Sequence, residues 1–376
     1  MGKIISLFNH KGGVGKTTFT YNLGYALANK GKKVLLIDAD SQINLTTSLY
    51  GFTEDESNDG RKKIDELPTY LQKYISIKDV IESAMSGSYC DKKVYTSEHC
   101  KNLDIISGSL VSYELDNQLS TLANTGGDGI KKIFDNIQKR FNSYTLDSKY
   151  DFVLIDTSPN AVSTLNAFLV GMSDYFIAPA TPSFFSKQSI TNLPSVFATW
   201  KEMLSKVIRH PNTPYGVDFK VKFLGICIQM AKKQNKRNNP EGISHAHYEW
   251  SQGVNDAIKP FFNIHKYCTQ SDFESIFPQS KNPYIIKMCI DVAAELRSIA
   301  DRCGKPVIGI TQEDCMKYKN KRTKQITNIT DKYITKVDKK TGNEKKELNH
   351  HYSAKKMITE QFDYIAKCFI ENESKL

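Results

Sequence analysis

The chain has 376 residues, 40% of them hydrophobic, which is enough for a packed core and excludes a wholly disordered polymer. Its 51 basic against 41 acidic side chains leave a net charge of +10, which permits an anionic partner without choosing between nucleic acid and a membrane surface. No apolar run reaches the ~18 residues of a spanning helix, no basic-then-apolar leader opens the chain, and eight cysteines without a CxxC pair read as reduced thiols, so the expectation is a cytoplasmic protein.

Lys3–Phe8 is an apolar run placed directly before a glycine-rich loop and is expected to be a buried strand. That reading also accounts for Gly2, which otherwise fits a loose N-myristoylation pattern. From Thr17 to Asn29, Phe19, Leu23, Ala26 and Leu27 recur at helical spacing, and Gly31 closes the helix. Lys33–Asp38 is continuously apolar up to its final carboxylate, the pattern of a strand buried on both faces of a parallel sheet. Further strands are expected at Leu103–Ser107, Phe152–Asp156, Tyr175–Pro179, Phe223–Ile228 and Pro306–Ile310, with helices between them. Alternation of this kind predicts an α/β fold: a mostly parallel twisted sheet with helices on both faces.

Two stretches look like additions to that frame, a polar one at about 53–102 and a lysine-rich one at about 317–351. In the second, Lys339–Asn343 resembles a turn between two short strands. Ile358, Phe362, Ile365 and Phe369 then mark an amphipathic helix over Ser353–Ile370. The whole chain, 1–376, reads as one domain with insertions.

The strongest chemical signal is Asn9-His10-Lys11-Gly12-Gly13-Val14-Gly15-Lys16-Thr17-Thr18, between a strand and a helix. Glycines let several backbone N–H groups turn toward phosphate oxygens, and the following helix adds the positive end of its dipole. Lys16 can reach β- and γ-phosphates and the Thr17 hydroxyl can ligate Mg²⁺. The strict GxxxxGK[ST] pattern fails at His10, and a second lysine, Lys11, stands inside the loop.

KGGVGKTT with that extra lysine resembles the deviant Walker A motif of the ParA/MinD superfamily of dimerising P-loop ATPases. The resemblance implies a P-loop NTPase fold and ATP held by Lys11, Gly12, Gly13, Val14, Gly15, Lys16, Thr17 and Thr18. It also implies a homodimer around nucleotide, with Lys11 reaching phosphates bound by the partner subunit. Leu36–Gln42 resembles the family's switch I, which makes Asp40 the residue that orients the attacking water and Asp38 a support for the Mg²⁺ shell. Tyr150–Asn160 resembles Walker B and switch II, with Asp156 toward the metal. Where the family usually reads D-x-P-P, Ser158 replaces the first proline. Catalysis would then rest on Lys11, Lys16 and Asp40, and the metal on Thr17, Asp38 and Asp156, with ATP and Mg²⁺ as cofactors.

Within the superfamily, Asn9-His10 leans toward the ParA type, whose members bind DNA without sequence preference, sit on the nucleoid and answer to a stimulating partner such as a ParB-like protein or cargo adaptor. Two basic stretches suit phosphate contacts: Lys232, Lys233, Lys236 and Arg237, and the run containing Lys321, Arg322 and Lys324. The expected function is a switch ATPase that positions or partitions a plasmid, chromosome or other cargo over DNA. Two alternatives stand beside it. One is a MinD-like ATPase that uses its last helix on a membrane, the other an ATP-controlled regulatory or assembly subunit that docks a protein through its insertions. His245, His247, His350 and His351 lack further ligands at metal spacing and are expected to be surface residues.

Overall fold

The computed structural model describes residues 2–53, 62–63, 66–88, 90–146, 149–234, 243–265, 270–278, 280, 284–291, 294–317, 327–337 and 344–376. The strands in chain order are β1 (Lys3–Leu7), β2 (Val34–Ala39), the short pair β3 (Phe52–Thr53) and β4 (Lys62–Lys63), β5 (Tyr95–Thr96), β6 (Leu103–Ile106), β7 (Phe152–Thr157), β8 (Tyr175–Ala180), β9 (Lys222–Ala231), β10 (Ile285–Ile290), β11 (Tyr333–Val337) and β12 (Glu344–Leu348). Eight of them form one sheet in the order β10-β9-β8-β1-β7-β2-β6-β5. Every neighbouring pair is parallel except β5–β6, the antiparallel edge.

Helices cover both faces. Phe152 pairs in register with Lys3, and Phe176 with Ser6. The odd offset points the two rings to opposite sides of the sheet. Phe369, on the helix His350–Glu371, meets Phe152 at 6.0 Å between ring centroids, while Phe197, on Leu193–Met203, meets Phe176 at 4.9 Å. Because both faces are covered, β2 and β7 are buried at every position, which is why their sequences read as unbroken apolar runs.

The predicted strands at Lys3, Lys33, Leu103, Phe152, Tyr175 and Phe223 are present, while the one expected at Pro306–Ile310 is not. Val307–Gly309 forms a turn of 3₁₀-helix instead. Its backbone is served from the first helix, where Asn22 Oδ1 accepts from Ile308 N at 3.3 Å. Gly309 lies so close under Tyr25 that a Cβ would meet Cζ at 2.8 Å. A short apolar run is buried there by a side-chain seat rather than by a ladder. The sheet edge is taken by β10, whose apolar run is interrupted by Lys287 and carries no plain strand signature.

The polar stretch after residue 53 contributes to the core. Ser76 and Asp79 form a capping box at the start of Ile77–Ser86, whose Ile77, Val80, Ile81 and Ala84 are buried. Tyr95 from the edge strand stacks within 4.3 Å of Tyr50 and 4.9 Å of Tyr74. In the lysine-rich stretch, β11 and β12 pair antiparallel, and the turn expected at Lys339–Asn343 lies outside the described residues. The helix that follows is capped by Asn349, which accepts from His351 N at 3.0 Å and Tyr352 N at 3.3 Å. Ile358, Phe362, Ile365 and Phe369 are all buried, and Phe362 lies 5.5 Å from Phe19 of the first helix. Its apolar stripe is therefore spent on the core. Among the described residues no helix is long and apolar enough to cross a membrane.

Candidate phosphate and metal site

The carboxyl ends of the central strands converge on the loop after β1. In register, Leu7 and Asp38 both lie opposite Asp156, so β1, β2 and β7 end together at this edge. The loop is shaped by Gly13 (φ 71°) and Gly15 (φ 83°), left-handed positions that a side chain would strain. Space above Gly12 and Gly13 is open: a Cβ built on either meets nothing within 4 Å. The helix Lys16–Asn29 begins with Gly15 as its cap, with no side-chain cap and no acidic residue in its first turn. Its first N–H groups remain available for an anion. Asn9 fixes the start of the loop, donating from Nδ2 to Pro179 O at 2.8 Å and accepting from Lys11 N at 2.9 Å.

Lys16 is buried and donates to Asn9 O at 3.3 Å. Burial lowers its pKa, while the charges of Asp156 and Asp40 pull it back up. Asp156 is buried too, and neither carboxylate oxygen makes a hydrogen bond of ordinary geometry among the described residues. Burial, helped by the charge of Asp38, pushes its pKa up to about 8, against the opposing pull of the Thr17 hydroxyl and Lys16. A buried carboxylate so little satisfied among the described residues is costly unless something else ligates it. Beside Thr17, and with oxygen donors only, it suits a hard divalent cation such as Mg²⁺. The donor set fits.

Asp38 is satisfied in another way. Its Oδ2 accepts from Thr46 N at 2.9 Å and Thr46 Oγ1 at 2.7 Å, and its Oδ1 from Asp40 N at 3.2 Å. Burial raises its pKa to about 6 despite those bonds. Thr46 Oγ1 in turn accepts from Gly108 N at 2.8 Å, tying the metal side of the site to the loop after β6. Asp40 is nearly buried, with Oδ1 accepting from Gln42 N at 3.1 Å. It lines a cavity of about 270 Å³ together with Ser158, Pro159 and Asn160.

Lys11 leaves the loop interior to Lys16. Its ammonium donates to three hydroxyls of its own subunit, Ser183 Oγ (3.1 Å), Ser186 Oγ (3.2 Å) and Thr181 Oγ1 (3.3 Å), and stands 5.8 Å from the Phe185 ring centroid. Those hydroxyls escaped the sequence reading; a Thr-Pro-Ser run just past a strand end was the available signal. The structure thus brings Lys11, Lys16, Thr17, Asp38, Asp40 and Asp156 to one sheet edge.

Of the basic residues considered for DNA, Lys232 and Lys233 are exposed just past β9. Lys236, Arg237, Lys321, Arg322 and Lys324 lie outside the described residues. His247 Nδ1 accepts from Lys232 N at 2.9 Å, and His351 faces Glu295 at 2.9 Å, so both have structural partners. No metal-binding group of three or more His, Cys, Asp or Glu occurs among the described residues.

Comparison with known proteins bears on the family and the fold. A family model described as an AAA domain matches residues 2–209. The chain is 28% identical over 194 residues to the sporulation initiation inhibitor protein Soj of Bacillus subtilis, covering 51% of this chain and 64% of Soj. It is 28% identical over 192 residues to the chromosome partitioning protein ParA of Caulobacter vibrioides, covering 51% and 60%. Among solved structures it resembles pNOB8 ParA bound to nonspecific DNA, with TM-score 0.53, 18% identity and coverage of 100% of this chain and 99% of that one. McdA of Cyanothece in its apo form gives TM-score 0.52 and 17% identity over 82% of this chain and 92% of that one. The chain is also 32% identical over 216 residues to a ParA family protein of Chlamydia muridarum, covering 57% of this chain and 70% of that protein, and it belongs to the AAA-domain family matched here as a P-loop ATPase of the ParA/MinD type.

Proposed function

We propose that this chain is an ATP-dependent dimerising switch that binds DNA without sequence preference and positions or partitions a plasmid, chromosome region or other cargo. The observation that carries the reading is the unsatisfied, buried Asp156 beside Lys16 and Thr17, at the strand ends that also deliver Asp40. Bound Mg²⁺ would neutralise phosphate charge and pre-orient the nucleotide there. Around it, Gly12–Thr18 hold phosphate through backbone N–H groups, Lys16 supplies fixed charge, and Thr17 and Asp156 are the ligands, with Asp38 supporting from behind. Asp40 accepts a proton from, and orients, the attacking water. Turnover of such a switch is slow until a partner stimulates it.

Dimerisation is supported by the surface around Lys11. Phe184 and Phe185 are 56% and 66% exposed there, an apolar face beside the Lys11 ammonium, which is held on Thr181, Ser183 and Ser186. The DNA reading is supported by exposed Lys232 and Lys233 and by the shared fold with a ParA described as bound to nonspecific DNA. It places the protein in the cytoplasm, on the nucleoid.

The test is binding to a random-sequence duplex with ADP, with ATP and with a slowly hydrolysed analogue, across a salt series. Binding with ATP alone, lost in Lys11→Ala, kept in Asp40→Ala and falling with salt, is the expected result. Absence of binding in every nucleotide state rules out the DNA switch and leaves docking of a protein partner.

A further inference from the structure

The loop after β7 is where this chain departs from D-x-P-P, and the structure shows what stands in for the missing ring. Asn166, fully buried on the helix Thr164–Met172, donates from Nδ2 to Ser158 O at 3.0 Å, Ser158 Oγ at 3.0 Å and Asn160 O at 2.8 Å. Two N–H bonds are thus shared over three acceptors on two loop residues. The opposite atom, Oδ1, is buried with no hydrogen-bond partner among the described residues. Turning the amide over would bury two donors in that place, so the network sets its orientation.

The rest of the loop is anchored independently. Asp116 Oδ1 accepts from Ser163 Oγ at 3.0 Å and Leu165 N at 2.7 Å, and Ser163 Oγ caps the helix by accepting from Asn166 N at 3.0 Å. Trp200 Nε1 donates to Ala161 O at 2.7 Å. Only Asn166 reaches Ser158 and Asn160 among these groups, and those two residues line the same cavity as Asp40.

We propose that Asn166 is a positioning residue for ATP hydrolysis, fixing the loop of Ser158–Asn160 against Asp40 in place of the rigidity a proline at 158 would supply. The inference rests on the ATPase reading above and adds a residue that touches neither nucleotide nor metal. Thr157 is the last residue of β7 and extended, the backbone that a following proline requires, which makes Ser158→Pro the rescue variant to try.

The test combines a readout without nucleotide and one with it. In the nucleotide-free protein, Asn166→Ala is expected to speed backbone amide exchange over residues 158–163 by about tenfold. It should leave the Kd of a fluorescent ATP analogue within about twofold while lowering kcat by about tenfold or more, the split expected of lost positioning. The double variant Ser158→Pro with Asn166→Ala should regain slow exchange and most of kcat. Ser158→Gly, which loosens the same loop with Asn166 intact, should show the same split and carries the test if Asn166→Ala does not fold. Exchange and kcat unchanged in the single variants, or a double variant as impaired as Asn166→Ala alone, overturns the proposal. If wild type turns over no ATP, it is the function reading that falls, and amide exchange still judges the clamp.

Discussion

Asp135 and Asp156 are both buried aspartates, and the protein treats them in opposite ways. Asp135, on the helix Asp128–Ser143, faces Arg209 at 2.6 Å through one oxygen and Lys139 at 2.7 Å through the other. Arg209 is itself pinned by Asp218 at 2.7 Å. Asp156 receives no ordinary hydrogen bond among the described residues, while Lys16, the cation whose charge acts on it, is directed at a backbone carbonyl. The first arrangement pairs the carboxylate with two cations, Oδ1 through a hydrogen bond and Oδ2 as an ion pair without one, and fixes the segment after Leu193–Met203 to a neighbouring helix. The second is left open at the sheet edge where phosphate loop and carboxylates converge. A buried charge paired by the protein contributes to structure, and one left incomplete is held ready for a ligand.

The largest effects should come from the open site. Lys16→Met removes the fixed charge expected to face phosphate, whose field also acts on Asp156. ATP turnover is expected to fall by about 10²–10³-fold, as when one preorganised donor is lost. Asp40→Ala should lower turnover comparably yet leave binding of a fluorescent ATP analogue nearly intact, since Asp40 acts on water. Single-turnover assays beside equilibrium titrations separate the two. A variant pair that weakens binding equally would contradict these separate roles.

Breaking the paired arrangement should cost stability and spare chemistry. Arg209→Met leaves Asp135 with Lys139 alone and is expected to lower unfolding free energy by about 2 kcal/mol in urea, below the full loss of a buried pair because Arg209 is part exposed. Turnover per folded molecule should be unchanged. If turnover falls while stability holds, the contrast between the two aspartates has been drawn in the wrong place.

The sequence showed one of these regions much better than the other. Lys11, Lys16, Thr17, Asp38, Asp40 and Asp156 were legible because they stand in short motifs: the loop and first turn after β1, and the ends of β2 and β7. The strands themselves were legible because burial on both faces leaves no polar alternation. Asn166, Arg209, Thr181, Ser183 and Ser186 were not, since their roles arise from pairings across the fold. Arg209 meets a helix 74 positions earlier in the chain, and Lys11 meets hydroxyls 170 to 175 positions later. Residue type alone gives no sign of such partners. The misplaced strand at Pro306–Ile310 has the same origin, a short apolar run whose seat is made by Asn22 and Tyr25 on a distant helix.

The smallest expected effect is also the one that separates the two aspartates most directly. Asp156 titrates near 8 in the folded protein and near 4 when unfolded, so the metal-free native state binds an extra proton between those values. The stability linked to that proton is fully present below about pH 4 and is lost as pH rises through about 8. Asp38, raised to about 6, adds to the same fall over the lower part of the range. The metal-free protein should therefore be more stable at pH 6 than at pH 9, and Asp156→Asn should flatten much of that slope, stabilising the protein at pH 9 by about 1 kcal/mol. Mg²⁺ with nucleotide reverses the trend in wild type, because the ligand form is the carboxylate, and the gain from adding both should grow toward pH 8 and vanish in Asp156→Asn. Thermal melts at four pH values, with and without Mg²⁺–ATP, measure both slopes. Destabilisation by Asp156→Asn at pH 9 without metal would mean that Asp156 is a structural carboxylate like Asp135, and that the open site is closed by a group elsewhere in the chain.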